Sequence, residues 1–79
     1  MFHVYILFSE KLDVYYKGCT QGVEIRLTNH LLGRSKFTSK TKDWVLVYQK
    51  SFETKKEVLI EEKRIKKLNR LALEKLINS

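Results

Sequence analysis

Tyr5, Tyr16, Arg26, His30 and Glu62, with Glu61 beside it, stand at spacings that could bring the chemistry of a phosphate or a proton together in this 79-residue sequence. Arg26 and His30 stand four residues apart, a spacing that puts both on one face of a helix where they can address one ligand. An arginine fork binds phosphate bidentately, and a neighbouring histidine transfers a proton or donates to a phosphoryl oxygen near neutral pH. The same pair equally suits the polar face of an ordinary exposed helix. Glu62 shares a narrow helical sector with Val58, Ile65 and Asn69, so its carboxylate faces the protein. A carboxylate held there needs a cation: Arg26, a lysine, or a metal ion. Glu61 lies on the other edge of that stripe, and periodicity alone does not choose between the two glutamates. Tyr5 and Tyr16 fall on two strand-like runs. In the hairpin register that sets them directly opposite each other their hydroxyls share one site, whereas a slip of one residue sends them to opposite faces.

The elements that must carry these residues are short. Phe2 to Phe8 reads as a strand, with Phe2, Val4, Ile6 and Phe8 on one face and His3, Tyr5 and Leu7 on the other. Ser9 to Asp13 suits a hairpin loop and Val14 to Cys19 a second strand. Thr20 is positioned to cap a helix over about Gly22 to Leu32, where Val23, Leu27 and Leu31 recur and Gly33 supplies a stop. From Gly33 to Asp43 no period survives, and Arg34, Lys36, Lys40 and Lys42 surround a single Phe37, which predicts an exposed basic loop. Trp44 to Gln49 gives a third strand. Thr54 and Glu57 form a capping box at the start of a long helix running to about Leu68. Asn69 interrupts it before a last helix from Arg70 to Ile77 with Leu73, Leu76 and Ile77 inward. The expected fold is α+β, a small three-stranded, mostly antiparallel sheet flanked by helices in the order ββαβαα.

Composition narrows the function classes. Sixteen Lys and Arg against nine Asp and Glu give a formal charge of +7, and the excess lies downstream of residue 32. Phosphate-bearing partners are the first expectation, ahead of acidic proteins or membrane head groups. So short a chain predicts a single domain over 1–79 with a marginal core, too small for a dinucleotide fold or a barrel enzyme. One cysteine, Cys19, forms no internal disulfide, and no leader or membrane span is evident, so a soluble, cytoplasmic protein is expected. His3, His30 and Cys19 lack the close pairing of a zinc site, and no nucleophile elbow, phosphate-binding loop or dinucleotide turn occurs.

Taken together the residues resemble a known pattern. His3-Val4-Tyr5 followed by Ile6-Leu7, and Tyr16-Lys17-Gly18 followed by Cys19-Thr20, look like the two signatures of the GIY-YIG nuclease domain. Arg26 with His30 one turn later, Phe37-Thr38, Trp44 to Tyr48, and Glu62-Lys63-Arg64-Ile65-Lys66 are similar to that family's later segments. The chain resembles the family's small stand-alone bacterial members and the N-terminal nuclease domain of the bacterial excision-repair nuclease. That alignment selects Glu62 over Glu61. His3 stands in place of the family glycine, Lys17 in place of an apolar residue, and Leu31 where asparagine is common.

The resemblance implies a divalent-metal-dependent endonuclease that hydrolyses DNA phosphodiesters; with 79 residues leaving no room for a separate recognition module, structure-directed or weakly sequence-specific cutting of repair or recombination type is expected. Glu62 would hold Mg²⁺ or Mn²⁺, Arg26 would stabilise phosphoryl charge, and Tyr5, or a water it orients, would assist attack with Tyr16 positioning it. A tyrosine with its ordinary pKa near 10 needs a nearby cation to serve as a base, and His30 is the other candidate to take the proton. Lys17, Arg34, Lys36, Phe37, Lys40, Lys42, Lys63 and Lys66 would hold the DNA, mostly through its backbone, with Phe37 stacking on a base. A targeting protein partner is consistent with so small a chain. A catalytically silent nucleic-acid-binding module is the alternative, and a basic protein-interaction domain a third.

Overall fold

The computed structural model describes residues 1–22 and 40–79. The helix expected over Gly22 to Leu32, most of the basic loop, and with them Arg26, His30, Arg34, Lys36 and Phe37, lie outside the described residues. Three strands, β1 (Phe2–Ser9), β2 (Val14–Thr20) and β3 (Val45–Phe52), form an antiparallel sheet in the order β2-β1-β3. Two helices follow, α1 (Lys55–Lys66) and α2 (Arg70–Ile77).

The central strand organises everything else. Aromatic and β-branched residues suit a pleated strand buried on both sides, and in β1 Val4, Tyr5, Ile6 and Leu7 are all at most 1% exposed. Val4 and Ile6 point to one side, where Val58 and Ile65 of α1 and Leu73 of α2 close over them. Tyr5 and Leu7 point to the other, against Trp44, with Tyr16, Val14 and Leu46 around them. Between Ile6 and Leu7 the β3 ladder slips, so that Ile6 faces Tyr48 and Leu7 faces Leu46. The bulge lets Val47 and Tyr48, neighbours in sequence, both pack on the helix side.

The register of the hairpin differs from the one that sets the tyrosines opposite each other. Tyr5 pairs with Gly18, and Tyr16 with Leu7. The offset is two residues, so the tyrosines keep a common face and become diagonal neighbours. The tip accounts for the offset: Ser9 pairs with Val14, and Asp13 adopts a positive φ of 54°, which closes a four-residue turn. β3 runs on to Phe52, past the Gln49 predicted as its end, because Gln49, Lys50 and Ser51 follow the β1 ladder back to Phe2. Their polarity hides them from a pattern reading.

Both helix starts are as the sequence predicts. Thr54 Oγ1 accepts from the Glu57 backbone N–H at 3.2 Å and is 2.9 Å from the Glu57 carboxylate. Asn69 Oδ1 accepts from the Ala72 N–H at 2.8 Å, capping α2. α1 ends at Lys66, two residues before the predicted Leu68, with Lys67 and Leu68 tightening into a last turn onto Arg64 and Ile65.

Two polar knots hold the hairpin end of the sheet, and neither is signalled by any motif. Arg70 of α2 bonds Asp13 at 2.6 Å and Glu74 at 3.4 Å and lies over the Tyr15 ring, while the Tyr15 hydroxyl donates to Glu74 at 3.0 Å. The guanidinium beside Asp13 holds that carboxyl below its ordinary value. The second knot is Asp43. Its carboxylate accepts from buried Ser9 at 2.7 Å, from Thr41 at 2.8 Å and from the Lys11 N–H at 2.9 Å, tying the hairpin turn to the approach to β3. The Ser9 hydrogen bond, then that from Lys11, brings the Asp43 pKa from 3.8 to about 2.

A carboxyl held below its unfolded value stabilises the fold fully above that value and stops doing so as pH falls through the folded one. Asp43→Asn therefore lowers the melting temperature most above pH 4, and the gap from wild type closes as pH falls from about 4 to 2. Thermal melts followed by fluorescence of Trp44, the one tryptophan, which sits beside this knot, check it.

Candidate active site

Gly18 decides where Tyr5 goes. A Cβ built on Gly18 would stand 2.7 Å from the Tyr5 hydroxyl oxygen and 2.9 Å from Cζ, so the phenol lies directly across the glycine backbone. No other residue type leaves that space. Tyr16 flanks Tyr5 on the same face with ring centroids 6.4 Å apart, and Trp44 meets Tyr16 edge-on at 6.4 Å. Tyr5 is 1% exposed and Tyr16 is half-buried, so Tyr16 is the more open of the pair.

Glu62 comes from the other side of the sheet. Val58 and Ile65 point α1 at Val4 and Ile6, and at about 100° per residue Glu62, Lys55, Lys66 and Leu59 fall on one flank while Glu57, Glu61 and Arg64 fall on the other. Lys55 and Leu59 line a cavity of about 310 Å³ with Cys19 and Thr20 of β2, which fixes the Glu62 flank toward β2. The opposite flank meets β3, where burial, and then the Glu61 charge, push the Tyr48 hydroxyl above its ordinary pKa. Lys17, opposite Ile6, also projects to the helix side of β2. The tyrosine pair thus reaches β2 from one face and Glu62 leans toward it from the other, with β2 at the edge of the described strands.

The two glutamates that periodicity could not separate have different partners. Glu61 is gripped by both arms of Arg64, Nε and Nη2, the latter at 3.0 Å, and that hydrogen bond holds its pKa down. Among the described residues Glu62 has an ion-pair partner only in Lys66, at 3.8 Å, beyond hydrogen-bonding distance, although its side chain is only 17% exposed. A sheltered carboxylate left with its lone pairs so loosely engaged suits a hard cation, and Mg²⁺ takes few carboxylates while keeping several waters. Among the described residues no three His, Cys, Asp or Glu side chains cluster, so an ion held by Glu62 would draw most of its remaining ligands from water and phosphate. His3 is occupied with Ser51, its Nδ1 2.8 Å from Oγ.

Of the residues expected to hold DNA, Lys40 and Lys42 are exposed just before β3. Lys63 points away from the sheet, whereas Lys66 sits on the Glu62 flank. The basic segment of α1 is therefore not one cluster but faces in at least two directions.

Comparison with known proteins agrees with this arrangement of elements. A family model described as the GIY-YIG catalytic domain matches residues 1–76. The UPF0213 protein of Staphylococcus haemolyticus is 37% identical over 76 residues, covering 95% of this chain and 92% of that one. The solution NMR structure of a UPF0213 protein from Bacillus halodurans is similar with a TM-score of 0.64 at 31% identity, covering 99% of this chain and 84% of its own.

The close approach at Gly18 has a measurable consequence. Gly18→Ala is expected to destabilise the fold by about 1–3 kcal/mol through overpacking against the Tyr5 ring. In a Tyr5→Leu background the same change costs much less, and a double-mutant cycle by chemical denaturation reads the coupling.

Proposed function

The chain belongs to the GIY-YIG family, a family of nucleases, and on that footing we propose that it is a divalent-metal-dependent endonuclease hydrolysing DNA phosphodiester bonds, structure-directed or weakly sequence-specific. The observation that carries this reading is the family match over residues 1–76; beside it stand the phenols of Tyr5 and Tyr16 on one face of the sheet and, on the other, a sheltered carboxylate with no hydrogen-bonded partner among the described residues. A cytoplasmic location, a role in repair or recombination, and a targeting protein partner are part of the same proposal.

Burial divides the work between the tyrosines. A phenol sealed at 1% exposure does not meet solvent water, so Tyr5 acts as a positioning residue that fixes Tyr16 by ring contact. Tyr16, the more open, orients the attacking water through its hydroxyl. This reverses the order expected from the sequence. Arg26, on the segment after β2, is assigned the charge that develops on the phosphoryl oxygens, and His30 one turn later the proton. Glu62 would hold Mg²⁺ or Mn²⁺, which when bound supplies Lewis-acid polarisation of the phosphoryl group. Lys66 and Lys17, both on the Glu62 side of β2, attract the phosphate backbone.

Cleavage of labelled duplex, nicked, flap and branched DNA with Mg²⁺ or Mn²⁺ tests the reading. Wild type is expected to cut at least one substrate. Glu62→Gln and Arg26→Ala should each reduce the rate by about 10²-fold or more, on the order of a lost electrostatic contact in the transition state, with DNA binding retained. Tyr16→Phe should slow cutting more than Tyr5→Phe. Salt-sensitive DNA binding without cutting of any substrate would select the silent binding module instead.

A further inference from the structure

The outer face of α1 carries cations that neither the fold nor the candidate active site uses. Lys56, Ile60, Lys63 and Lys67 fall within a sector about 60° wide, on the side of the helix away from Val58 and Ile65. All four are exposed, and Ile60 is 60% so. At 1.5 Å per residue the three lysines form a ladder about 16 Å long. Among the described residues none of the three lysines has an ion-pair partner, while Glu57 bonds Thr54, Glu61 pairs with Arg64 and Glu74 with Arg70.

Helix formation does not account for the ladder. Cations in the last turn suit the helix dipole, which covers Lys63 and Lys67, but Lys56 stands in the first turn at the positive end, where a cation is unfavourable. Lys63 and Lys67, four apart, also repel each other. A row of like charges that costs the free helix stability is relieved by a polyanion. A membrane surface fits poorly, since a single isoleucine among three lysines offers no apolar face to insert. A phosphate backbone asks only for a row of cations, and exposed Ile60 between them can lie against sugar.

The ladder is also remote from the β2 edge. It points about 120° around α1 from Glu62, and the width of a helix, about 10 Å, separates it from the sheet. The ladder and the tyrosine face therefore look in different directions, and a backbone lying along the lysines runs past a different side of the protein from the β2 edge. We propose that the outer face of α1 binds a second stretch of nucleic-acid backbone, so that the protein holds one DNA segment at β2 and another on α1. The proposal rests on the nuclease reading for the identity of the polyanion, and it names branched or otherwise two-segment DNA as the substrate class.

The test uses binding, in chelator so that nothing is cut. Fluorescence anisotropy of a labelled four-way DNA branch is measured against salt for wild type and for K56Q/K63Q/K67Q, with far-UV circular dichroism and melting confirming that the variant folds. The slope of log affinity against log salt should become shallower by about 2.7, three phosphates at about 0.9 each. In a bridging assay with donor- and acceptor-labelled duplexes, wild type should bring two duplexes together and the triple variant should not. An unchanged slope overturns the second surface, as does bridging that survives in the variant. Lysine-dependent binding to phosphatidylserine vesicles in preference to DNA overturns it in favour of a membrane. A wild type that cuts no DNA yet shows the lysine-dependent slope and bridging upholds the second surface while removing the nuclease reading.

Discussion

The structure depends on one strand being buried on both sides. In a chain this short the core is marginal, and among the described residues β1 supplies half of the buried hydrophobic side chains, facing Val4 and Ile6 toward the helices and Tyr5 and Leu7 toward Trp44. Each face then sets a different part of the candidate site. The helix-facing pair fixes the rotation of α1, and that rotation leaves Glu62 leaning toward β2. The other face presents Tyr5, whose ring needs the space that Gly18 leaves open. A single strand therefore positions both halves of the proposed chemistry without contributing a residue that is itself open to solvent.

Two glutamates one residue apart illustrate how partners separate residues that pattern cannot. Glu61 and Glu62 are similarly sheltered, at 12% and 17% side-chain exposure. One is closed by a bidentate arginine three residues on, within its own helix, and the other is left with a distant lysine. The difference comes from the flank each occupies: Arg64 shares the β3 flank with Glu61, and Lys66 shares the β2 flank with Glu62.

Much of this was legible in the sequence where local chemistry decides. The cap at Thr54, the break at Asn69 and the inward stripe of Val58, Ile65 and Leu73 follow from residue type and period, and the common face of the two tyrosines was one of the two registers the pattern allowed. The register did not, because it is set by a turn in which Asp13 takes a positive φ, and a shift of two residues leaves the hydrophobic pattern unchanged. The end of β3 escaped because Gln49 to Ser51 are held by the ladder and not by composition. Asp43 and Arg70 were missed for a related reason: each bonds residues more than thirty positions away, and no short-range pattern encodes such a pair. The different exposures of Tyr5 and Tyr16 are likewise a property of packing across Gly18, not of the residues themselves.

The charge at the middle of β2 has a bearing on self-association. An edge strand offers unpaired backbone groups to any other strand, including the same strand of a second copy. Lys17 is the central residue of Val14–Thr20, so two β2 strands laid antiparallel about a twofold axis in full register would set Lys17 directly against Lys17. That repulsion falls where the symmetric pairing would be longest, and escaping it by sliding the strands shortens the shared ladder. At this edge of the described strands the cation that attracts a phosphate backbone thus repels its own image, a cost that falls on the symmetric pairing and not on the nucleic acid.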